Sequence, residues 1–189
     1  GLKELKKSQV IKIPDVVCSG QNFILTEFIQ PGTIDKNFFS EFGFQFAEMH
    51  RVTNNSFGFF EDNFIGSNIQ LNIPDEIQKA DWTNFYFDKR LLFQIKLAEK
   101  NKLVDSELRS SFIQLEKRIN NIIGQVNESP SLLHGDLWSG NFMITDEGNA
   151  CLIDPAVYYG NREADLAMTK LFGGFSDEFY TSYNDTFPL

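Results

Sequence analysis

Two short β-prone runs, Asn141–Thr145 and Ala150–Asp154, are separated by Asp146-Glu147-Gly148-Asn149. Runs of this length with a Gly-containing turn between them form an antiparallel hairpin. A turn centred on Glu147-Gly148 makes 295 − n the partner of residue n, so that Thr145 faces Ala150, Ile144 faces Cys151 and Asn141 stands opposite Asp154. Directly opposed residues of such a ladder lie about 4.5–5.5 Å apart. The hairpin thus brings an amide and a carboxylate from distant positions to one end of a sheet. Asp136, five residues before Asn141, lies on the loop that feeds the same end. Any fold for this chain has to bring these three polar groups together.

The chain before the hairpin reads as mostly helical. Leu2–Lys7 resemble the end of a helix whose start is not included, and Ile11-Lys12-Ile13-Pro14 breaks the helical pattern, because Pro lacks an N–H and restricts its predecessor. Phe23–Ile29 is short and β-rich, a strand ended by Pro31-Gly32. Asp35 is the expected N-cap of a helix over residues 36–51, in which Phe38, Phe39, Phe42, Phe46 and Met49 recur at helical spacing. That stripe is expected in the core. His50, which follows it, reads as a helix-end or packing residue that interacts well with the helix dipole. Residues 53–80, rich in Asn, Gly and Phe, have no clear period and are expected to form a long loop. Helices are predicted over 82–100 and 105–123, and again over Arg162–Phe172 and Asp177–Tyr183.

Composition excludes several function classes. With 189 residues and 42% hydrophobic content the chain can bury a real core and is not disordered. Its net charge of −9, from 17 Lys+Arg against 26 Asp+Glu, argues against nonspecific nucleic-acid binding. No run approaches the length of a membrane span, and the start Gly1-Leu2-Lys3-Glu4 has no signal-peptide core, so a cytoplasmic, reduced setting without a membrane partner is expected. Two cysteines, Cys18 and Cys151, make no disulfide framework, and two histidines exclude a three-His zinc site. A bound metal would sit on oxygen ligands, which favours Mg²⁺ or Mn²⁺.

The loop before the hairpin carries the pattern H-x-D-L-x-x-x-N, as His134-Gly135-Asp136-Leu137-Trp138-Ser139-Gly140-Asn141. This is the catalytic-loop pattern of kinases, in which the Asp accepts the proton of the attacking hydroxyl and the Asn binds metal. Asp154-Pro155-Ala156 stands where protein kinases carry a second metal-binding Asp. Phosphoryl transfer needs these residue types: a base within reach of the nucleophile, and cationic charge against the phosphate oxygens. The blander readings are a solvated loop aspartate for Asp136, backbone capping for Asn141 and Asp154, and packing for Trp138. His134 reads as more structural than catalytic, orienting the loop by hydrogen bonding.

Leu133–Asn141, with Ile153–Gly160 and Arg162–Met168, resembles the fructosamine kinase (ketosamine kinase) family. So do Asp62–Ser67, Gln70-Leu71-Asn72, Asp81-Trp82, Phe85, Arg90-Leu91 and Leu171–Phe175. The likeness covers nearly the whole chain, and Trp138-Ser139-Gly140 sets it apart from the aminoglycoside and choline kinases that share the simpler loop pattern. The resemblance implies an α+β, protein-kinase-like fold, here mostly the helical C-terminal lobe with a catalytic β-hairpin and the last strands of the N-terminal lobe. It divides the chain into residues 1–30, the end of the N-terminal lobe and hinge, and 31–189, the C-terminal catalytic lobe. It implies ATP and Mg²⁺ as cofactors and a glycated amine, small or protein-bound, as the partner whose sugar hydroxyl is phosphorylated. Asp136 would be the general base, Asn141 and Asp154 the Mg²⁺ ligands, and Thr26-Glu27-Phe28 the hinge that binds the adenine edge. Trp138 would line the sugar pocket, with His134 on the substrate side. Asp165 would be the helix aspartate that hydrogen-bonds back to the catalytic loop.

The family's glycine-rich loop and strand Lys are not found in the sequence, which is expected to lack the upstream nucleotide-binding lobe. A related aminoglycoside- or choline-type kinase, a silent lobe acting as a binding module, and a metal-dependent phosphoesterase are the competing readings.

Overall fold

The computed structural model describes residues 1–124 and 128–189. Two compact units emerge from it. One comprises Gly1–Thr53, Ser131–Val157 and Arg162–Leu189; the other comprises Asn54–Pro130 and Tyr158–Asn161.

The first unit opens with a short helix, α1 (Leu2–Leu5), and a single 3₁₀ turn, Lys6–Ser8. Strands β1 (Val16–Gly20) and β2 (Phe23–Thr26) pair antiparallel, with a bulge between Val16 and Cys18. The expected strand at Phe23 is present but ends at Thr26, and the sequence reading had no strand at β1. Helix α2 (Phe38–His50) begins at Asn37, not Asp35. Asp35 instead accepts the Asn37 N–H at 2.8 Å in a turn just outside the helix.

The hairpin consists of β6 (Phe142–Ile144) and β7 (Ala150–Leu152), preceded by β5 (Ser131–Leu133). Its register is one residue away from the expected one: Ile144 pairs with Ala150 and Met143 with Cys151. The turn is longer than a two-residue loop. The Thr145 N–H donates to the Asn149 carbonyl at 2.9 Å, and the Gly148 N–H donates to the Thr145 carbonyl at 2.8 Å. Gly148 takes φ +82°, a left-handed conformation open to glycine at little steric expense. Asn141 therefore lies opposite Ile153, whose N–H donates to its carbonyl at 3.0 Å, and Asp154 falls one residue beyond. Both flanks of the hairpin are covered by the segments around β1–β2. The Leu152 N–H donates to the Lys12 carbonyl at 3.0 Å on one side, and the Gly32 N–H donates to the Ile144 carbonyl at 2.9 Å on the other.

Helices α7 (Glu163–Phe172) and α8 (Asp177–Thr186) complete this unit. The Phe stripe of α2 is its core. Phe42 meets Phe142 of the hairpin at 5.1 Å and Phe179 of α8 at 5.2 Å between ring centroids, and the tilted rings of Phe175 and Phe179 lie 4.9 Å apart. Gly43 is required here, because a Cβ would overlap the main-chain carbonyl of Phe179. The aromatic cluster thus fixes the hairpin and α8 to one face of α2.

The second unit contains the hairpin β3 (Asn63–Ile65) and β4 (Asn68–Gln70), inside the stretch expected to be an unstructured loop. A helical rod follows, as predicted over 82–100, but its middle winds more widely. α3 (Trp82–Tyr86) passes through a π-type segment, Phe87–Leu92, into α4 (Phe93–Lys100). The predicted helix over 105–123 is two helices, α5 (Ser106–Glu116) and α6 (Ile119–Ile123). α5 buries none of its side chains, so no packed face holds the two in line. The strand β8 (Tyr158–Gly160) also belongs to this unit. Arg90 ties it together, donating to the Leu71 carbonyl at 2.5 Å and to Asn72 Oδ1 at 2.7 Å while its guanidinium lies 4.1 Å from the Tyr158 ring centre. Among the described residues no helix is long and apolar enough to cross a membrane.

Candidate active site

The site is built at the end of the β6–β7 hairpin, entirely within the first unit. β5 delivers the chain into His134, and Gly135 turns it at φ +82°. Asp165 holds that turn from α7. Its Oδ2 accepts the His134 N–H at 2.6 Å and its Oδ1 the Gly135 N–H at 2.9 Å. This is the loop-anchoring role that the family resemblance implied for Asp165.

Asp136 follows, half-buried. The Asn141 amide reaches back across the loop, its Nδ2 donating to the Asp136 carbonyl at 2.8 Å and to Asp136 Oδ2 at 3.1 Å. Burial raises the Asp136 carboxyl above the ordinary carboxylate range. The charges of Asp154 and Asp165 push the same way, while the Asn141 hydrogen bond opposes them. Asp154 is exposed and takes a left-handed φ of +49°, which re-aims its side chain where the ladder ends. The register differs from the expected one, yet Asp136, Asn141 and Asp154 still share one end of the hairpin.

His134 was expected on the substrate side, and its burial argues otherwise. It is completely buried, and both ring nitrogens are engaged. Nε2 donates to the Ile153 carbonyl at 3.0 Å, and Nδ1 accepts the Asp136 N–H at 3.3 Å. A carbonyl can only accept, so Nε2 carries the proton. The His134 carbonyl also accepts the Ala156 N–H at 2.9 Å, so this one residue pins the chain on both sides of Asp154. Burial holds its imidazole below the usual pKa, which keeps it neutral.

Trp138 projects from the loop, 40% exposed, and its ring lies 6.3 Å from that of Phe172 at the end of α7. The two rings form an open aromatic ledge beside the loop. Glu27 and Phe28 line a cavity of about 280 Å³ together with Lys12, Gln30, Thr145 and Asn149. Thr26 pairs with Val16 at the end of β2, and the Glu27 carboxylate is held by Lys12 at 2.6 Å. Cys151 on β7 is buried, and its thiol is pushed up to about 11 by burial, which rules out a thiolate nucleophile at neutral pH.

The sequence assigns His50 only a helix-end or packing role and Tyr183 none, yet both belong to this neighbourhood. His50 is fully buried, with Nδ1 2.7 Å from Tyr183 Oη and Nε2 3.3 Å from Asp165 Oδ2. Its place four residues after Phe46, on the apolar face of α2, was the available signal.

A probable ketoamine kinase of Enterococcus faecium is 38% identical over 193 residues, an alignment covering all of this chain and 66% of that protein. A solved Thermobifida fusca structure, provisionally assigned as a fructosamine-3-kinase, superposes with TM-score 0.87 at 30% identity and covers all of this chain and 64% of its own. ADP-bound aminoglycoside phosphotransferase APH(2'')-Ib shares the kinase-like α+β fold, with TM-score 0.59 at 15% identity over 98% of this chain and 64% of its own. The chain therefore spans just under two thirds of the length of these proteins. The family model described as fructosamine kinase matches residues 1–189, and the chain belongs to that family.

Proposed function

We propose that this chain carries the phosphoryl-transfer centre of an ATP-dependent ketosamine kinase, with Asp136 as general base. The observation that carries the reading is the Asn141 amide on Asp136 Oδ2 at 3.1 Å. It fixes the carboxylate in one rotamer and leaves Oδ1 to accept a proton from a sugar hydroxyl as its oxygen attacks the terminal phosphoryl group. The raised affinity of Asp136 for a proton, which follows from its burial, makes it a better acceptor than a solvated aspartate.

With Nδ2 turned to Asp136, the Asn141 oxygen is the atom left for a cation, and the exposed Asp154 carboxylate is the second donor. Two oxygen donors suit Mg²⁺, which takes one or two protein ligands and completes its shell with phosphate oxygens and water. Among the described residues no three His, Cys, Asp or Glu side chains form a metal cage of their own. Bound there, Mg²⁺ would neutralise phosphate charge. His134 contributes by pinning Ile153 and Ala156, which holds Asp154 in place.

Thr26-Glu27-Phe28, beside the cavity, is the hinge segment proposed to take the adenine edge of ATP, with residues 1–30 as the end of the N-terminal lobe and 31–189 as the catalytic lobe. Trp138 is proposed to pack against the acceptor sugar. The protein works on small or protein-bound glycated amines in the cytoplasm.

A panel assay tests this reading. The intact protein, with Mg-ATP, is offered a ketosamine, an aminoglycoside and choline. Phosphorylation of the ketosamine supports it, and transfer confined to either other acceptor, or none at all, rejects it.

A further inference from the structure

We infer that Tyr183 on α8 is a positioning residue for the Asp136 loop, acting through His50 and Asp165. The inference rests on the reading of that loop as the phosphoryl-transfer site.

The hydrogen bonds run in one direction. The Asp165 carboxylate can only accept, and it already takes the N–H groups of His134 and Gly135. The His50 Nε2 that faces it, at 3.3 Å, is therefore the protonated nitrogen, and in a neutral imidazole Nδ1 is left as the acceptor. Tyr183 Oη, 2.7 Å from Nδ1, supplies the proton for that bond. Arg162 in turn donates to Tyr183 Oη at 3.5 Å, and to the Phe187 and Pro188 carbonyls at 2.6 and 2.5 Å. Each donor in this series faces the group that accepts from it, and the series ends on the carboxylate that fixes the loop.

The location gives the series its meaning. His50 and Tyr183 lie in the interface between α2 and α8, which is otherwise filled by Phe42, Phe46 and Phe179. Polar groups with no exposed surface are tolerated only when satisfied, and an apolar pair would pack there without that requirement. What the polar pair provides is a fixed tautomer. With the Tyr183 hydroxyl on Nδ1, His50 can present only Nε2–H to Asp165, and the carboxylate keeps both oxygens on the loop amides. Without it the imidazole is free to carry its proton on Nδ1, turning a lone pair toward the Asp165 carboxylate.

The test compares amide hydrogen exchange in wild type, Tyr183→Phe, His50→Gln and His50→Leu. Tyr183→Phe keeps the ring and removes only the hydroxyl. Exchange at the His134 and Gly135 amides is expected to be about tenfold faster in this variant, with the β6–β7 amides unchanged. His50→Gln, which keeps an N–H directed at Asp165, is expected to exchange more slowly at these two amides than His50→Leu. In the intact protein, Tyr183→Phe lowers kcat about tenfold with both KM values within about twofold. Wild-type exchange at both amides in Tyr183→Phe overturns the inference. So does acceleration spread evenly over the helices, or equal exchange in the Gln and Leu variants. If wild type phosphorylates no acceptor, the proposed function fails, while the exchange result still decides whether Tyr183 positions the loop.

Discussion

The Asn141 amide donates to Asp136 twice, to the main-chain carbonyl at 2.8 Å and to Oδ2 at 3.1 Å, so one side chain sets both the loop and the carboxylate it presents. The second of these bonds stabilises the ionised carboxylate, against burial and the neighbouring negative charges. Asn141→Ala removes it, and the Asp136 carboxyl rises further. The acid limb of the kcat/KM profile is expected to move to higher pH, and kcat to fall about a hundredfold, because the proposed base loses its geometry and the proposed cation site one of its donors. A pH–rate profile of wild type and variant checks both.

Asp136 also sets a stability cost. Its folded-state pKa is raised, so its contribution to stability is fully present below the ordinary carboxylate pKa and is lost as pH rises through the folded value. At neutral pH the ionised group therefore destabilises the fold. Asp136→Asn is expected to melt at the same temperature as wild type or higher at pH 7, and the advantage should vanish near pH 3. Thermal melts across that range measure it.

Gly43→Ala separates packing from propensity. In an exposed helix, alanine is favoured over glycine by about 1 kcal/mol. At position 43 the added Cβ overlaps the Phe179 carbonyl. Overpacking of this kind typically costs about 1–3 kcal/mol, or roughly 2–12 °C in Tm for a chain of this size. A lower Tm is expected, and a higher one would show that α8 does not lie against α2 as described.

Trp138→Ala leaves the core alone, since the ring is 40% exposed. It is expected to raise the KM for a ketosamine about tenfold, with the ATP KM and the Tm little changed. Steady-state kinetics with each substrate varied in turn provides the check.

The α2 stripe could be read from its spacing because one face is buried throughout, from Phe38 to Met49. The convergence of Asp136, Asn141 and Asp154 could be read because a hairpin leaves little freedom at its ends. The register could not. A two-residue turn and a three-residue turn both place Gly at a left-handed position, and only the Thr145–Asn149 pairing distinguishes them. β1–β2 went partly unread because Val17, Phe23, Ile24 and Leu25 are all exposed, which erases the alternation that marks a half-buried strand. The break within 105–123 is hidden for a related reason: the apolar residues keep helical spacing through it, but α5 buries none of its own. The Tyr183–His50–Asp165 series joins positions far apart in the chain, and local pattern carries no trace of it.

Transfer of labelled γ-phosphate from ATP to a ketosamine by the intact protein and by its Asp136→Asn variant is the decisive comparison. Wild type should label the ketosamine, and Asp136→Asn, folded to the same melting temperature or above, should do so at least about a hundredfold more slowly. Equal labelling by the two would remove Asp136 from the chemistry, and with it the site built around it.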